Sequence, residues 1–299
     1  MDYSFPHYLL SKQSVDDRAL NRTVLEAMQA SLPETSVNMV EVGAGIGSML
    51  KRLLRWGVLP ARVDYSLVDV MPENIRSARD WLPEWAVPGG YQVKPLTGGD
   101  IRLSASSSVV QTHFIQADVF DYIQSQPGPA DLLIAHALLD LLPLPGSLPK
   151  LFSLVKPDGL AWLTANFDGL TTFEPVVDPA LDAHIEKLFH GTMDERITNG
   201  VLSGDSRTGR HLFAHLEQAG VQIVSAGASD WVVYPLQGQY PADEAYFLQF
   251  ILSFFETSLS GHPDLDPAQF SRWLAARRAQ VERGELVYIA HQLDFLVRV

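Results

Sequence analysis

Short, β-rich apolar runs alternate with amphipathic helical patterns from about residue 37 to residue 165, and this alternation constrains the fold most strongly. Runs that are apolar on both faces suit the buried strands of a parallel sheet, and the helical patterns between them suit the connections. The alternation predicts an α/β doubly wound sheet. The five runs are 37–42, 65–70, 112–118, 130–135 and 159–165.

The rest of the chain completes the sheet and flanks it with helices. "VQIVSA" at 221–226 predicts a sixth strand with a short extension at "DWVVYP", and the alternating "LVYIAHQLDFLVRV" at 286–299 predicts a terminal antiparallel strand. We therefore expect a seven-stranded, mostly parallel sheet with an antiparallel terminal strand. The predicted helices are 14–31, with Ser14 as its N-cap, 46–56, 72–82, 209–219 and one from Asp266-Pro267 to Gly284.

Several segments do not fit the strand–helix alternation and are interpreted as additions to one domain. Residues 83–111 predict a β-hairpin that turns at Gly98-Gly99, residues 166–204 a helical lid, and residues 236–285 a helical insertion. We expect a helical cap at 1–36 and a sheet domain at 37–299 that carries these insertions. The lid and the cap are the segments placed to cover a ligand.

Composition excludes several classes of protein. The 299 residues are 46% hydrophobic, carry a formal net charge of -13 and include no cysteine, so disulfides and thiolate zinc sites are excluded. The acidic surplus argues against binding to nucleic-acid phosphates, which requires clustered lysine and arginine. The apolar stretch "AYFLQFILSFF" at 245–255 is too short to cross a bilayer. We expect a cytoplasmic protein with neither a membrane nor a nucleic-acid partner.

A glycine-rich turn joins the first predicted strand to the first predicted helix. In "VEVGAGIG" at 40–47, Gly43, Gly45 and Gly47 occupy alternate positions. Such a turn lets backbone N–H groups and a helix N-terminus approach a nucleotide-like ligand. The dinucleotide-binding pattern would place its third glycine at Ser48, so that pattern is broken here. On the glycines alone, a tight turn of purely structural purpose remains an alternative.

Two acidic residues follow neighbouring strands and strengthen the prediction of a ligand site. Asp69 ends the second run about twenty residues after the glycines, where a carboxylate can accept hydrogen bonds from both ribose hydroxyls. Asp118 ends the third run. Because the carboxyl ends of parallel strands meet at one edge, the glycines and both acids are expected at the edge where such folds bind ligands.

The sequence resembles class I S-adenosylmethionine-dependent methyltransferases of the bacterial small-molecule type. "VEVGAGIG" is similar to that family's first motif, in which an acidic residue stands two positions before G-x-G-x-G. "ADLLIAHALLDLL" resembles the fourth strand with its loop, and "LFSLVKPDGLAWLTANF" the helix, turn and fifth strand. The resemblance covers residues 37–165 and, more weakly, 209–299. It implies a Rossmann-like fold and S-adenosylmethionine as the cofactor.

The resemblance also implies roles for individual residues. Glu41 would lie beneath the methionine moiety, and His136 near the methyl group. The other implied cofactor contacts are Gly43 and Gly45 at its backbone, Asp69 at the ribose, Val70 and Met71 around the adenine, and Asp118 with the Val119 amide at the adenine edge. Arg18 and Lys12 are candidates to pair with the cofactor carboxylate, although charged residues on an amphipathic helix face solvent by default.

The acceptor site is less well defined by the sequence. His136 is the candidate general base, with a hydrogen bond to a loop carbonyl or a cofactor contact as the alternative. Asn166, His190 and Trp231 are the candidate substrate contacts. Asn166 and Asp168 with Asp140 could instead supply oxygen ligands to Mg²⁺, but their spacing is loose, and no metal is expected. Asp194 and Arg196 lie near a predicted helix end at Gly191, where solvation of the helix end is the alternative to a role in the site. Tyr234 could line the acceptor site or fill the core. The aromatics of 247–255 are interpreted as core or homodimer contact rather than as a substrate site.

These features predict methyl transfer from S-adenosylmethionine to an oxygen or nitrogen of a small-molecule acceptor. The residues "AHAL" stand where methyltransferases that act on DNA bases or protein glutamine carry an Asn-Pro-Pro-Tyr-like tetrapeptide, which favours a small molecule. A nicotinamide-dependent oxidoreductase and a non-catalytic cofactor-binding protein of the same fold are the alternatives.

Overall fold

A computed structural model describes residues 4–106, 108–125, 128–198 and 200–299 of the chain. Residues 1–3 of the predicted cap, 107 of the predicted hairpin insertion and 199 of the predicted lid lie outside the described residues. The strands are β1 (Ser36–Val42), β2 (Arg62–Asp69), β3 (Gln92–Pro95), β4 (Ile101–Ser104), β5 (Val109–Gln116), β6 (Ala130–His136), β7 (Val155–Glu174), β8 (Ile197–Thr198), β9 (Val201–Leu202), β10 (Gln222–Ala228), β11 (Trp231–Val233) and β12 (Val287–Arg298).

Helices connect the strands, and further helices precede β1, follow β7 and lie between β11 and β12. They are α1 (Phe5–Ser11), α2 (Gln13–Ala19), α3 (Arg22–Ser31), α4 (Ser48–Trp56), α5 (Pro72–Ala86), α6 (Val119–Gln124), α7 (Leu148–Phe152), α8 (Pro179–Asp194), α9 (Thr208–Gln218), α10 (Glu244–Leu259) and α11 (Pro267–Glu282). Helices cover both faces of the sheet, so its central strands are buried on both sides, as their continuous apolar sequences require.

The main sheet has the order β10-β12-β7-β6-β1-β2-β5-β4-β3, with β11 paired to β12. Strands β7, β6, β1, β2 and β5 are parallel neighbours, whereas β12 runs antiparallel to both β7 and β10. The predicted doubly wound sheet with an antiparallel terminal strand is therefore confirmed. Strand order reverses at β1, between β2 and β6, and in such sheets the crevice at this reversal binds ligands.

The predicted hairpin lengthens the sheet at one edge. Strands β3 and β4 pair antiparallel, and β4 pairs antiparallel with β5. Gly98 and Gly99, with φ of 72° and 85°, occupy the turn between them, a conformation that costs other residues energy. The hairpin thus covers the β5 edge, which would otherwise present unpaired backbone groups.

Strand β7 is much longer than the predicted run of 159–165. It continues to Glu174 as a ribbon with β12, so residues 166–174 are not part of a helical lid as predicted. The "KPDG" segment, predicted as a turn before the strand, forms a bulge within it, because Ala130 pairs with Val155 while Leu132 pairs with Leu160. Polar residues along 166–174 concealed the strand from a reading of apolar runs.

The N-terminal segment forms three helices where one was predicted at 14–31. The chain leaves helical geometry at Leu20, with φ of -48° and ψ of 127°. The Asn21 side chain then accepts a hydrogen bond from the Val24 amide at 3.1 Å and caps α3, while the Asn21 backbone N–H donates to buried Asp294 at 2.9 Å. This anchoring to the sheet explains the break, which helical periodicity does not reveal.

Helices α1, α8, α10 and α11 pack around a second core rich in aromatic side chains. Within it, the fully buried Arg277 pairs with Asp182 at 2.8 Å and donates to the Pro175 carbonyl at 2.7 Å. Helix α8 continues through Gly191 to Asp194, so the predicted stop at Gly191 is wrong. The aromatics of α10 are mostly core, with Phe254 among the partly exposed. Within the described residues, no helix is long and apolar enough to cross a bilayer.

Candidate functional site

The glycine turn after β1 has the backbone geometry that its sequence predicts. Gly43, Gly45 and Gly47 have φ of 64°, 55° and 79°, a region that residues with a side chain rarely adopt. A Cβ added to Gly43 would lie 2.9 Å from a methyl carbon of Leu138, and one added to Gly45 would lie 3.0 Å from a methyl carbon of Leu9. The backbone of the turn is therefore approached closely from both sides, and the turn requires glycine.

Asp69 ties this turn to the end of β2. Its Oδ2 accepts from the Gly45 amide at 2.7 Å, and its Oδ1 accepts from the Met71 amide at 2.8 Å and from Asn74 Nδ2 at 3.1 Å. A carboxylate has about four acceptor positions, so one remains on Oδ2. Asp69 lines the cleft at the glycine turn, which suits the predicted hydrogen bond to a hydroxyl group.

Glu41 is a buried acid on β1 that also lines this cleft. Tyr65 donates a hydrogen bond to its Oε2 at 2.7 Å. Burial raises the pKa of Glu41 to about 8, although Tyr65 and Arg52 oppose the rise and Asp69 adds to it. Glu41 is therefore protonated at neutral pH in the absence of a cationic ligand.

Replacement of Glu41 by glutamine is expected to flatten the pH dependence of stability. An acid whose folded pKa is raised contributes stability below its unfolded pKa, and that contribution is lost as pH rises through the folded value of about 8. Glutamine mimics the protonated form and does not titrate. Between pH 4.5 and pH 8, the free energy of unfolding of the variant should therefore rise relative to that of the wild type by about 3 to 5 kcal/mol. Urea unfolding at several pH values measures this gain, and a constant difference between the two proteins would contradict the assignment.

The first cleft has a volume of about 350 Å³ and lies at the carboxyl ends of β1, β2, β5 and β6. Val70 and Met71, whose side chains are exposed, line this cleft together with Asp118 and Val119. Asp118 caps α6 by accepting from the Phe120 amide at 2.8 Å, with its Oδ1. The structure thus brings together ten of the eleven predicted cofactor residues, all but Arg18: Lys12, Glu41, Gly43, Gly45, Asp69, Val70, Met71, Asp118, Val119 and His136.

The residues of the first cleft fit S-adenosylmethionine. The glycine turn can receive the backbone of the cofactor, and Val70 and Met71 offer apolar surface to its adenine. Buried Asn74 lines the same cleft, and its Oδ1 has no hydrogen-bond partner among the described residues, so a hydroxyl donor would satisfy it. Acidic side chains also suit a ligand with ammonium and sulfonium charges.

Asp16 of α2 joins the N-terminal helices to the sheet. It is buried, and its carboxylate accepts from Trp231 Nε1 at 3.0 Å and from His136 Nε2 at 3.1 Å. The cationic groups of Lys12 and Arg52 each lie 3.5 Å from its Oδ2. Burial alone would raise the pKa of Asp16, but Lys12, His136 and Arg52 outweigh it and hold that pKa well below its usual range.

His136 ends β6 and is fixed by two hydrogen bonds. Burial lowers its pKa against the opposing effect of Asp16, so the ring is neutral at pH 7. Because ionised Asp16 can only accept, Nε2 carries the ring proton, and Nδ1 then accepts from the Thr164 hydroxyl at 2.8 Å. This tautomer leaves no lone pair for a substrate, so the geometry does not support the prediction that His136 is the general base.

A second cleft of about 390 Å³ adjoins the first. Its lining comes from α1, β7, α8, β11, α10 and β12, and includes Trp231 as predicted. The two clefts share Phe5, Leu9, Lys12, Ala137 and Leu141. Lys12 therefore stands where both clefts meet, as one of the residues proposed from the sequence for the cofactor carboxylate.

Several predicted site residues lie elsewhere. Arg18 pairs with Glu244 through two hydrogen bonds of 2.6 and 2.9 Å and lines neither cleft. Asn166 is buried and donates to the carbonyls of Leu163 and Leu293, and His190 packs its ring 5.4 Å from that of Phe167 without lining a cleft. Tyr234 is exposed and also lines neither cleft.

The magnesium alternative is not supported. Asp168 Oδ1 accepts from the backbone amide and Nε of Arg210, each at 2.8 Å, which leaves it committed to an ion pair. Asn166 is buried and lines neither cleft, whereas Asp140 lines the second. Within the described parts of the chain, no group of three acidic, histidine or cysteine side chains is arranged to hold a metal ion.

Two site residues were missed by the sequence. Neither Asp16 nor Asn74 is among the candidate residues named from the sequence. A weak signal existed for Asn74, because it lies five residues after Asp69 in the first turn of α5. No local signal marks Asp16, since its partners His136 and Trp231 are 120 and 215 residues away along the chain.

No protein-family model and no curated protein matches this chain. Among solved structures, a SAM-dependent methyltransferase from Thiobacillus denitrificans in complex with S-adenosyl-L-homocysteine is 14% identical, with 99% of each chain covered and a TM-score of 0.48. A second, from Geobacter sulfurreducens with the same ligand, is 14% identical, with 96% of this chain and 97% of that chain covered and a TM-score of 0.44. The cyclopropane synthase MmaA2 from Mycobacterium tuberculosis is 9% identical, with coverages of 98% and 96% and a TM-score of 0.44.

These likenesses concern the path of the chain. The chain has the Rossmann-like fold that its resemblance to class I methyltransferases predicts. The chemistry of the site follows from its own residues.

Proposed function

We propose that this protein transfers a methyl group from S-adenosylmethionine to an oxygen or nitrogen atom of a small-molecule acceptor. The observation that carries the proposal is the junction of two clefts at the carboxyl edge of the sheet. The first holds the residues that fit the cofactor, and the second offers about 390 Å³ to another molecule. Phe5, Leu9, Lys12, Ala137 and Leu141 line both, so molecules bound in the two clefts would be neighbours.

The protein's contribution to such a reaction is alignment and exclusion of water. When bound, the cofactor supplies a methyl group that its sulfonium sulfur already activates. Asp69 and the glycine turn hold the cofactor, and Asp16 fixes His136, Trp231 and Lys12 around the junction. Phe5 and Leu9 of α1 cover the junction from the side of the cap.

An oxygen or nitrogen acceptor is supported by the polar groups of the second cleft. Asp140, Thr171, Thr192 and Gln292 line it among apolar side chains, and such groups orient a polar substituent. The nicotinamide alternative gains no support, because Ser48 replaces the third glycine of the dinucleotide pattern and its hydroxyl accepts from Gln13 of the cap at 3.2 Å. The cytoplasmic location and the homodimer predicted from the sequence stay predictions.

Thermal unfolding with a panel of cofactors tests this function. A ligand that binds only the folded protein stabilises it by about 2.7 kcal/mol at 100 times its dissociation constant, which raises the midpoint by several degrees. We expect this rise with S-adenosylmethionine and S-adenosylhomocysteine and none with NADH or NADPH. A rise with the nicotinamides alone would overturn the proposal in favour of an oxidoreductase.

A further inference from the structure

Aromatic side chains from several elements line part of the second cleft. Rings reach it from helices α1, α8 and α10 and from strands β7, β11 and β12: Phe5, Tyr8, Phe167, Phe189, Trp231, Phe254 and Tyr288. A surface of this kind binds the apolar body of a ligand by excluding water. The volume of about 390 Å³ suits a compact molecule rather than a polymer.

Three charged side chains line this cleft, and they differ in what they already bind. Lys12 lies 3.5 Å from Asp16 and over the ring of Trp231, and Arg196 donates to the backbone carbonyl of Asp140 at 2.9 Å. The carboxylate of Asp140 is different, because its buried Oδ1 has no hydrogen-bond partner within the described residues. It is the charged acceptor of the cleft that is left for a ligand.

Gln292 adds a second unpartnered acceptor to the same cleft. Its side chain is almost fully buried on β12, and its Oε1 has no hydrogen-bond partner within the described part of the chain. Buried acceptors without partners are rare and unfavourable in folded proteins. Two of them on one apolar cleft indicate a ligand that brings hydrogen-bond donors.

The fold fixes Asp140 through its backbone and leaves its Oδ1 without a hydrogen-bond partner among the described residues. Asp140 lies in the turn Leu139–Leu141 directly after β6, and Arg196 holds its carbonyl. Gly204 packs on the same carbonyl so closely that an added Cβ would overlap it, and the Gly204 amide donates to the Leu142 carbonyl at 2.6 Å. The neighbouring Leu141 lines both clefts, which places this turn at their junction.

We propose that Asp140 is the proton acceptor of the reaction, and that the methyl acceptor is an apolar molecule of one or two rings whose nucleophile is a hydroxyl or amino group. This inference rests on the proposed function. The Asp140 carboxylate takes the proton from the O–H or N–H group. The electron pair of that heteroatom forms the bond to the methyl carbon, while the pair of the carbon–sulfur bond goes to sulfur and leaves a neutral thioether.

The electrostatic surroundings of Asp140 suit this role. Burial raises its pKa above the ordinary value, which makes the carboxylate a better base, although Arg196 and Lys12 oppose the rise. The charge of Asp205 adds to the rise in the pKa of Asp140, and the charge of Asp140 in turn acts on Tyr8 of α1. Burial and the charges of Asp16, Tyr288 and Asp140 raise the pKa of Tyr8, so Tyr8 stays a neutral phenol that cannot compete as a base.

The test uses the full-length protein with S-adenosylmethionine and four probes in place of the unidentified acceptor. 2-Naphthol and 1,2,3,4-tetrahydroisoquinoline carry the donor groups, naphthalene lacks one, and oleate offers an alkene. We expect release of S-adenosylhomocysteine, measured by mass spectrometry, with at least one of the two donor probes and with neither of the others. Asp140→Asn should lower that rate by about 100-fold or more, while exposed Asp80→Asn on α5 should not change it.

Further readouts separate this inference from the proposed function. Binding of S-adenosylhomocysteine to Asp140→Asn should be unchanged, because Asp140 does not line the first cleft, and this binding also shows that the variant is folded. The wild-type rate should rise with pH through the pKa of Asp140, and the variant should lose this limb. If the product cofactor binds but neither donor probe reacts, or if Asp140→Asn keeps the wild-type rate, the inference fails while the proposed function stands. If oleate is methylated at its alkene and the donor probes are not, the inference and the oxygen or nitrogen acceptor of the proposed function fail together.

Discussion

Replacing Asp69 by alanine is expected to weaken the binding of S-adenosylhomocysteine about 100-fold, because hydrogen bonds to a charged group are worth about 1.5 to 3 kcal/mol. Two losses combine in this variant. The ribose loses the acceptor position on Asp69 Oδ2 that is open to it. The Gly45 and Met71 amides lose the Asp69 oxygens that fix the turn. Calorimetric titration measures the affinity directly.

The control for this variant is a carboxylate on the same strand that lies outside the cleft. Asp64 of β2 is exposed and lies 3.2 Å from His113 on the neighbouring strand. Asp64→Ala removes the same charge from the same strand, so its affinity should match that of the wild type. Equal affinities for the wild type and Asp69→Ala would remove Asp69 from the cofactor site.

Asp16→Ala is expected to lower the free energy of unfolding by about 3 to 5 kcal/mol, which is the usual cost of leaving buried charges unpaired. Buried Lys12 would lose its counter-charge, Arg52 would keep Asp17 at 2.6 Å, and the donors of His136 and Trp231 would lose their acceptor. Because Lys12 lines both clefts, cofactor affinity should fall as well. Urea denaturation and calorimetry measure the two effects.

Asp16→Asn separates the charge of Asp16 from its shape. The pKa of Asp16 is depressed in the folded protein, so its contribution to stability is present above the unfolded pKa of about 4 and lost as pH falls below it. The stability difference between the wild type and Asp16→Asn should therefore shrink only at acidic pH. Exposed Asp243, which pairs with His7, gives the control: Asp243→Asn should change stability by about 1 kcal/mol or less. A similar loss of stability in Asp16→Asn and Asp243→Asn would contradict the importance of the buried ion pairs and hydrogen bonds of Asp16.

The sheet and its cofactor edge could be predicted because their signals are local. Apolar runs mark strands that are buried on both faces, and the glycines with Asp69 mark the edge where the turn meets the end of β2. The tie between Gly45 and Asp69 spans only 24 residues. The positions of the glycine turn and of Asp69 therefore follow from the order of β1 and β2 along the chain.

The second cleft could not be predicted in the same way, because the residues that line it come from distant segments of the chain. Helix α1 meets β12 and α8 there, and helical periodicity does not say which partner a helix covers. Arg18 illustrates the difficulty: it was a cofactor candidate by residue type, but Glu244 of α10, 226 residues away, binds it. Asp140 was considered only as a metal ligand, since neither its burial nor its lack of a partner is visible in the sequence.

Calorimetry with S-adenosylhomocysteine on two glycine variants tests whether the glycine turn after β1 binds S-adenosylmethionine. Gly45 and Gly57 have similar φ values of 55° and 64°, so alanine strains the backbone alike at both positions. A Cβ at Gly45 would enter the space between the turn and Leu9 in the first cleft, whereas a Cβ at Gly57 would meet nothing within 4 Å. We expect micromolar binding to the wild type and to Gly57→Ala, and an affinity lower by about tenfold or more in Gly45→Ala. Absence of binding to the wild type, or equal binding to all three proteins, would contradict it.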